Sequence, residues 1–204
     1  MTRRLAVLVV WALAGCGPAE IRIDETKGVP AVQGQTEITL GTFTCGQPIA
    51  AGTKSVATKV VAGGCEFTFD DTLEVLKASD YSNIPELKGA ANLVQRVEMT
   101  ITKLTFTDGT SNAVLDLSTR VTSVTLAVNG QQVADKAALT HLPAVVSLTG
   151  DALTALKAKV DARQPASVAA KVVAVLPDTP APPAKLRLDY DAQPAIIIGP
   201  GKIF

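Results

Sequence analysis

VEMTITKLTF, residues 97 to 106, carries the strongest strand signal in the chain. Apolar residues alternate with polar ones up to Ile101, and the alternation resumes one residue out of phase at Leu104 and Phe106. A period of two indicates a strand with one buried face, and a β-bulge at Thr102-Lys103 would turn both halves toward that face. We therefore predict a long, half-buried strand that contains one bulge.

Shorter strand signals surround this stretch on both sides. They combine alternation or β-branched residues with flanking turn residues, and they cover residues 36–45, 55–61, 65–69, 73–77, 114–117, 124–128, 131–133, 144–148, 168–176, 186–190 and 196–198. Asp70-Asp71 and Asp108-Gly109 are predicted turns. Asn129-Gly130 is the strongest hairpin signal, because both residue types accept the left-handed backbone of a type I′ turn.

Two helices are predicted between these strands. Residues 82–94 place apolar side chains at helical spacing, and Asn83 and Glu86 have the spacing of a capping box. A second helix is capped by Thr149 or Asp151. Strands do not alternate regularly with helices, and no segment repeats. The sequence therefore predicts a mainly β fold, an antiparallel β-sandwich with two short helices, and the immunoglobulin-like arrangement is one candidate.

The composition bounds the core and the partners. Hydrophobic residues make up 47% of the chain and aromatic residues only 4%, so Val, Leu, Ile and Ala must fill the core. The formal net charge is zero. Such a chain has no basic field that would attract nucleic acid and no acidic run that would collect cations. Nucleic acid is therefore not an expected partner.

The beginning of the chain has the three parts of an export signal. Arg3-Arg4 is followed by the apolar run LAVLVVWAL, residues 5 to 13, and then by small residues before a cysteine. The run is too short for a permanent membrane-spanning helix, so a removable signal peptide is predicted. Leu13-Ala14-Gly15-Cys16 resembles the lipobox of bacterial lipoprotein precursors. The resemblance implies that Cys16 receives a thioether-linked diacylglycerol and that the chain is cut before it.

An ordinary signal peptide with an incidental cysteine is the alternative interpretation. The lipoprotein interpretation divides the chain into a signal peptide (1–15), a lipidated cysteine with a flexible tether (16–35) and a single β-rich domain (36–204). Gly17 stands where lipoproteins retained in the inner membrane of enteric bacteria have aspartate, so the resemblance implies the outer membrane. The predicted location is the cell envelope, where the acyl chains on Cys16 hold the protein to the membrane.

Two cysteines remain once Cys16 is assigned to the lipid. Cys45 and Cys65 form an even pair in an exported domain, which predicts a disulfide bond, on two strands if both face inward. Two free thiols and a metal pair are the alternatives. A metal site is disfavoured because His141 is the only histidine and two further ligands are missing.

Motifs that carry catalytic or cofactor chemistry do not stand out. The sequence contains no Gly-x-Ser-x-Gly elbow and no Gly-rich phosphate loop. Asp70-Asp71 and the pair Asp189 and Asp191 could offer oxygen ligands to calcium, but the spacing of a dedicated calcium loop is lacking. Solvated turns and strand edges explain them better. We predict no cofactor, no metal and no enzymatic activity.

Two functions of different classes fit these observations. The first is a non-catalytic interaction or structural module, held at the membrane to contact another envelope protein or a glycan through edge strands and loops. The alternative is a carrier of an apolar ligand, a lipid or an acyl chain, in a cavity between the sheets. The two differ in whether the core is filled or hollow.

Overall fold

The structure is a computed structural model that describes residues 20–41, 43–51, 54–89, 93–178 and 181–199. The predicted signal peptide and Cys16 lie outside the described residues. The described residues form twelve strands: β1 (Ile21–Ile23), β2 (Val32–Thr39), β3 (Ile49–Ala51), β4 (Lys54–Val61), β5 (Gly64–Leu76), β6 (Val94–Asp108), β7 (Val114–Leu115), β8 (Ser123–Val128), β9 (Gln131–Ala134), β10 (Ala144–Leu148), β11 (Ala166–Leu176) and β12 (Lys185–Ile198). The α-helices are α1 (Asp80–Asn83), α2 (Leu117–Arg120), α3 (Lys136–Leu139) and α4 (Gly150–Asp161). None of the described helices is long and apolar enough to cross a bilayer.

The strands form two antiparallel sheets, which confirms the predicted β-sandwich. The first sheet has the order β1-β12-β6-β10. β2 also pairs with β12, along the edge where β1 pairs, and β7 also pairs with β6, along the edge where β10 pairs. The second sheet has the order β3-β4-β5-β11-β8-β9. The described strands outnumber the roughly seven to nine of an immunoglobulin domain. A single apolar core made largely of aliphatic side chains joins the sheets.

Strand β6 contains the predicted bulge. Lys103 and Ile101 of β6 pair with the consecutive residues Asp191 and Ala192 of β12, so Thr102 is the extra residue of the bulge. The apolar residues before and after the bulge are at most 4% exposed. The phase change in the sequence therefore predicted the bulge correctly.

Strand β12 is longer than predicted. Residues 186–190 and 196–198 were expected as two strands, but one strand runs through Pro194. On one side, Pro194 pairs with Met99 of β6. On the other side the neighbouring strand changes, because β2 pairs with β12 only as far as Ala192 and β1 pairs with it from Ile196 onward. A proline is tolerated at a position where one side of the ladder has no strand.

The predicted turn at Asp70-Asp71 is wrong. Strand β5 continues through both residues, which pair with Lys171 and Ala170 of β11. Asp70 and Asp71 are poor strand formers on local grounds, but pairing along the whole length of β11 outweighs that preference.

The first predicted helix is also wrong in its extent. Helix α1 ends at Asn83, a short 3₁₀ segment covers Pro85–Gly89, and β6 begins at Val94. Ile84 has an extended backbone, with φ −106° and ψ 102°, because the ring of a following proline disfavours the helical conformation. The second helix is present as α4 with Thr149 at the N-cap position, but the Thr149 side chain makes no capping hydrogen bond and instead accepts one from Gln131 Nε2 at 2.7 Å.

The predicted hairpin at Asn129-Gly130 is confirmed. Both residues have positive φ, 48° and 81°, and they connect the paired strands β8 and β9.

The folded domain begins earlier in the chain than predicted. The tether was expected to reach Gln35, with Ile21–Ile23 as a candidate edge strand within it. That strand is present as β1, and β1 and β2 both pair with β12. Ile23 and Val29 are fully buried. These two residues are therefore part of the core, and their spacing shows no period because a 3₁₀ turn, Glu25–Lys27, lies between them.

Candidate functional site

The structure contains the predicted disulfide bond between Cys45 and Cys65, with the two Cα atoms 5.8 Å apart. Cys65 lies near the start of β5, but Cys45 lies in the loop between β2 and β3 and not on a strand. The bond therefore ties a loop to the sheet and does not join two strands.

The other polar residues considered from the sequence are engaged in local contacts. Asp189 accepts a hydrogen bond from Arg187 at 3.1 Å, and Asp191 accepts one from Gln33 at 3.1 Å. His141 Nδ1 lies 3.0 Å from the carbonyl oxygen of Ala137. No group of three or more His, Cys, Asp or Glu side chains within the described ranges could hold a metal ion.

A polar contact joins the two sheets near their middle. The Tyr190 hydroxyl, on β12, donates a hydrogen bond to Asp71 Oδ2, on β5, at 2.5 Å. Burial raises the pKa of Tyr190, and the Asp71 carboxylate raises it further. The hydroxyl therefore keeps its proton. The ring lies over Gly34, where a Cβ atom would come within 1.9 Å of the hydroxyl oxygen. The glycine therefore leaves room for a cross-sheet hydrogen bond.

The space between the sheets is small. The cavity beside Tyr190 has a volume of about 30 Å³ and is lined mainly by apolar side chains of both sheets. A cavity needs about 10–15 Å³ of such space to hold one water molecule, so this one has room for about two. The described core is thus filled by its own side chains.

A larger depression lies on one edge of the first sheet. β10 pairs with residues 97–101 of β6, and β7 pairs with Phe106 and Thr107. Residues 102–105 therefore have no strand neighbour on this side among the described strands. We call this gap the edge notch; its volume is about 630 Å³ and its lining is Leu104, Thr105, Val114–Ser118 and Leu139–Leu142.

Two exposed valines lie on the strands that bound the edge notch. Val114 is 66% exposed on β7 and belongs to the lining of the notch, and Val145 is 63% exposed on β10. They pair with Thr107 and Thr100 of β6, which alternate with its core-facing residues, so both valines point away from the core. Single exposed apolar side chains are common on protein surfaces, but apolar surface that continues into a depression marks interaction sites.

The walls of the edge notch are held by short helices. Asp116 caps α2 by accepting a hydrogen bond from the Ser118 backbone N–H at 2.8 Å. Lys136, in α3, donates to the carbonyl oxygens of Ser118 and Val121 at 3.1 and 2.6 Å. The floor is apolar, with Leu115 and Leu139 buried. This arrangement can accept an apolar side chain or an extended segment. The polar side chains in its lining include Asp116, Ser118 and His141, and Ser118 Oγ donates a hydrogen bond to Asp116 Oδ1 at 2.7 Å.

Sequence reasoning missed the edge notch. Its strands were predicted, but the gap depends on where β7 and β10 pair along the same edge of β6. The only local signal was the bulge at Thr102, which marks the point where a ladder is disrupted.

No family model matches the chain, and no curated protein or solved structure matches it.

Proposed function

We propose that this protein is a lipid-anchored envelope protein of bacteria whose β-sandwich is a non-catalytic interaction module. Acyl chains on Cys16 would hold it to the membrane, in the outer membrane by the lipoprotein analogy, and another envelope protein or a glycan would be its partner. The lipobox Leu13-Ala14-Gly15-Cys16 supports the anchor. Each buried methylene contributes about 0.8 kcal/mol, so two or more chains make a stable anchor without a spanning helix.

The edge notch is the observation that carries the interaction half of the proposal. It combines a free length of strand edge with an apolar floor and two exposed valines, Val114 and Val145. Proteins use such edges to bind an extended segment of a partner, because backbone hydrogen bonds hold the segment and neighbouring pockets select its side chains. A protein segment fits this surface better than a glycan, since the floor is apolar.

The filled core does not favour the alternative of a lipid carrier. Ligand pockets usually measure about 300–1,000 Å³, whereas the cavity between the sheets measures about 30 Å³. A carrier would have to open the sandwich and break the Tyr190–Asp71 hydrogen bond.

The anchor is tested by the intact mass of the protein purified from its own membranes. We expect the mass of the chain from Cys16 plus a diacylglycerol and a further acyl group, less two hydrogens for the disulfide. Cys16→Ser should lose the entire acyl mass. The paired replacement of Cys45 and Cys65 by serine is the matched control, because it removes two cysteines and should keep the acyl mass. A mature chain that starts after Cys16 without lipid would favour the ordinary signal peptide.

The interaction surface is tested by a photo-crosslinking amino acid placed at single valines of the anchored protein in intact cells. Positions 114 and 145 should each yield a discrete adduct of the same mass, because one partner would contact both sides of the edge notch. Val60 is the matched control: it is 67% exposed and lies on β4 in the other sheet. Adducts of equal yield from position 60, or none from positions 114 and 145, would contradict the proposed surface.

A further inference from the structure

The chain is fixed to the sandwich from its first described residues onward. Ile21 pairs with Ile198 and Ile23 with Ile196 at the end of β12, and Ile23 is fully buried. The polypeptide that precedes Ile21 must therefore leave the domain at this end. We call it the anchor end, and it comprises Glu20, Ile21, Gln95 on β6 and Ile198 on β12.

A network of ion pairs fixes Glu20 to the first sheet. Arg96 on β6 contacts Glu20 and Glu98, each at 2.8 Å. Arg22 on β1 contacts Glu98 at 2.5 Å and Asp24 at 3.0 Å. Each pair alone would contribute little at a surface, but a connected network holds its members in one geometry. Glu20 is thereby held close to the line of β1, so the chain leaves the sheet along the strand axis.

The tether implied by this geometry is short. Cys16 precedes Glu20 by four residues, and at about 3.3–3.6 Å per residue their Cα atoms are at most about 14 Å apart. A tether that ran from Cys16 to Gln35 would allow a distance of more than about 60 Å between the Cα atoms at its two ends. By contrast, the fourteen residues of β12 extend about 46 Å from the anchor end. The tether is thus much shorter than the domain.

The anchor end has the surface that a bilayer contact requires. Its acidic side chain is matched within the protein, since Arg96 binds Glu20 at 2.8 Å. Ile21 adds an apolar side chain that is 43% exposed. A face of paired charges with one exposed apolar residue can lie against headgroups without a large field of either sign.

We propose that the anchor end rests against the bilayer and that the sandwich stands on it, with Lys185, the first residue of β12, far from the membrane. This inference rests on the proposed lipidation of Cys16. The surface that contacts the anchor end is the lipid bilayer that holds the acyl chains, because Cys16 lies only four residues before Glu20. The edge notch, eight to eleven residues along β6 from Val94, then lies about 30 Å above the headgroups, and a partner must reach it at that height.

The orientation is tested by energy transfer from a label on the lipidated full-length protein to a short-range acceptor on the headgroups of phosphatidylethanolamine–phosphatidylglycerol vesicles. With Cys16 acylated and Cys45 bonded to Cys65, an introduced cysteine is the only free thiol. Gln95→Cys labels the anchor end, and Thr110→Cys labels the far end of β6. Both positions are exposed. We expect transfer from position 95 to be several-fold higher than from position 110, with little change at high salt.

A longer tether supplies the matched comparison. Twenty Gly/Ser residues inserted between Ala19 and Glu20 raise the root-mean-square reach to about 25–30 Å, and this should remove most of the difference between the two labels. The same insertion after Asp178, in the loop before β12, should leave the difference intact.

The outcomes separate the two proposals. Acylated, vesicle-bound protein with equal transfer from positions 95 and 110 would overturn the upright orientation and leave the anchor standing. Protein without acyl chains that does not bind vesicles would overturn both.

Discussion

Gly64→Ala is expected to lower the free energy of unfolding by about 2–6 kcal/mol. Gly64 has a φ of 153°, and a Cβ atom there would come within 2.0 Å of the Leu176 carbonyl oxygen. A backbone conformation that L residues rarely adopt costs about 1–3 kcal/mol, and overpacking costs about 1–3 kcal/mol more. The colliding atom belongs to the backbone of β11, so it cannot move aside without disturbing the ladder between β5 and β11.

The neighbouring glycine provides the control. Gly63 also has a positive φ, 87°, but a Cβ atom there would meet nothing within 4 Å. Gly63→Ala should therefore cost only about 1–2 kcal/mol, the penalty for a left-handed L residue. Urea unfolding of the detergent-solubilised proteins, followed by far-ultraviolet circular dichroism, measures both, since the only tryptophan, Trp11, lies in the predicted signal peptide. Equal losses for the two variants would refute the backbone collision.

Loss of the disulfide is expected to lower the free energy of unfolding by about 3 kcal/mol in the chain-entropy model. Cys45 and Cys65 are 20 residues apart in sequence, so the bond restricts a loop of moderate length in the unfolded chain. It also holds the loop after β2 against β5, where Phe43 and Phe67 contact each other with ring centroids 5.5 Å apart. Replacing both cysteines with alanine and measuring the urea midpoint tests this expectation.

Reduction of the unmutated protein separates the bond from the side chains. Cys65 is only 2% exposed, so its replacement also changes the packing of the core. Dithiothreitol breaks the bond and keeps both sulfur atoms in place. The reduced protein should lose most of the stability that the alanine pair loses. An unchanged midpoint, with two thiols shown to be free, would mean that the bond does not stabilise the fold.

Several elements were predictable because their signals are local. The phase change in residues 97–106 depends on two nearby stretches of one strand, and the bulge at Thr102 follows from it. Asn129-Gly130 needs only its own backbone preferences to form a hairpin. Pairing of the two cysteines left after Cys16 followed from their number, although their positions relative to the strands did not.

The failed predictions share a physical cause. Asp70-Asp71 favours a turn locally, but pairing with β11 keeps β5 extended. Pro194 interrupts a strand signal, but it lies where one edge of β12 passes from β2 to β1. The helix predicted for residues 82–94 ends early because Pro85 makes Ile84 extended. In the first two cases a partner distant in sequence changes the outcome that local preference alone would produce.

Alternation, turn residues and composition were sufficient to establish a mainly β chain with an aliphatic core, and the first sixteen residues alone carry the prediction of a lipid anchor. The length of the tether, the different roles of Gly63 and Gly64, and the edge notch could be found only in the folded chain. Each of these depends on the register between strands far apart in sequence, and a side-chain pattern with a period of two is the same for every register that keeps the apolar face inward.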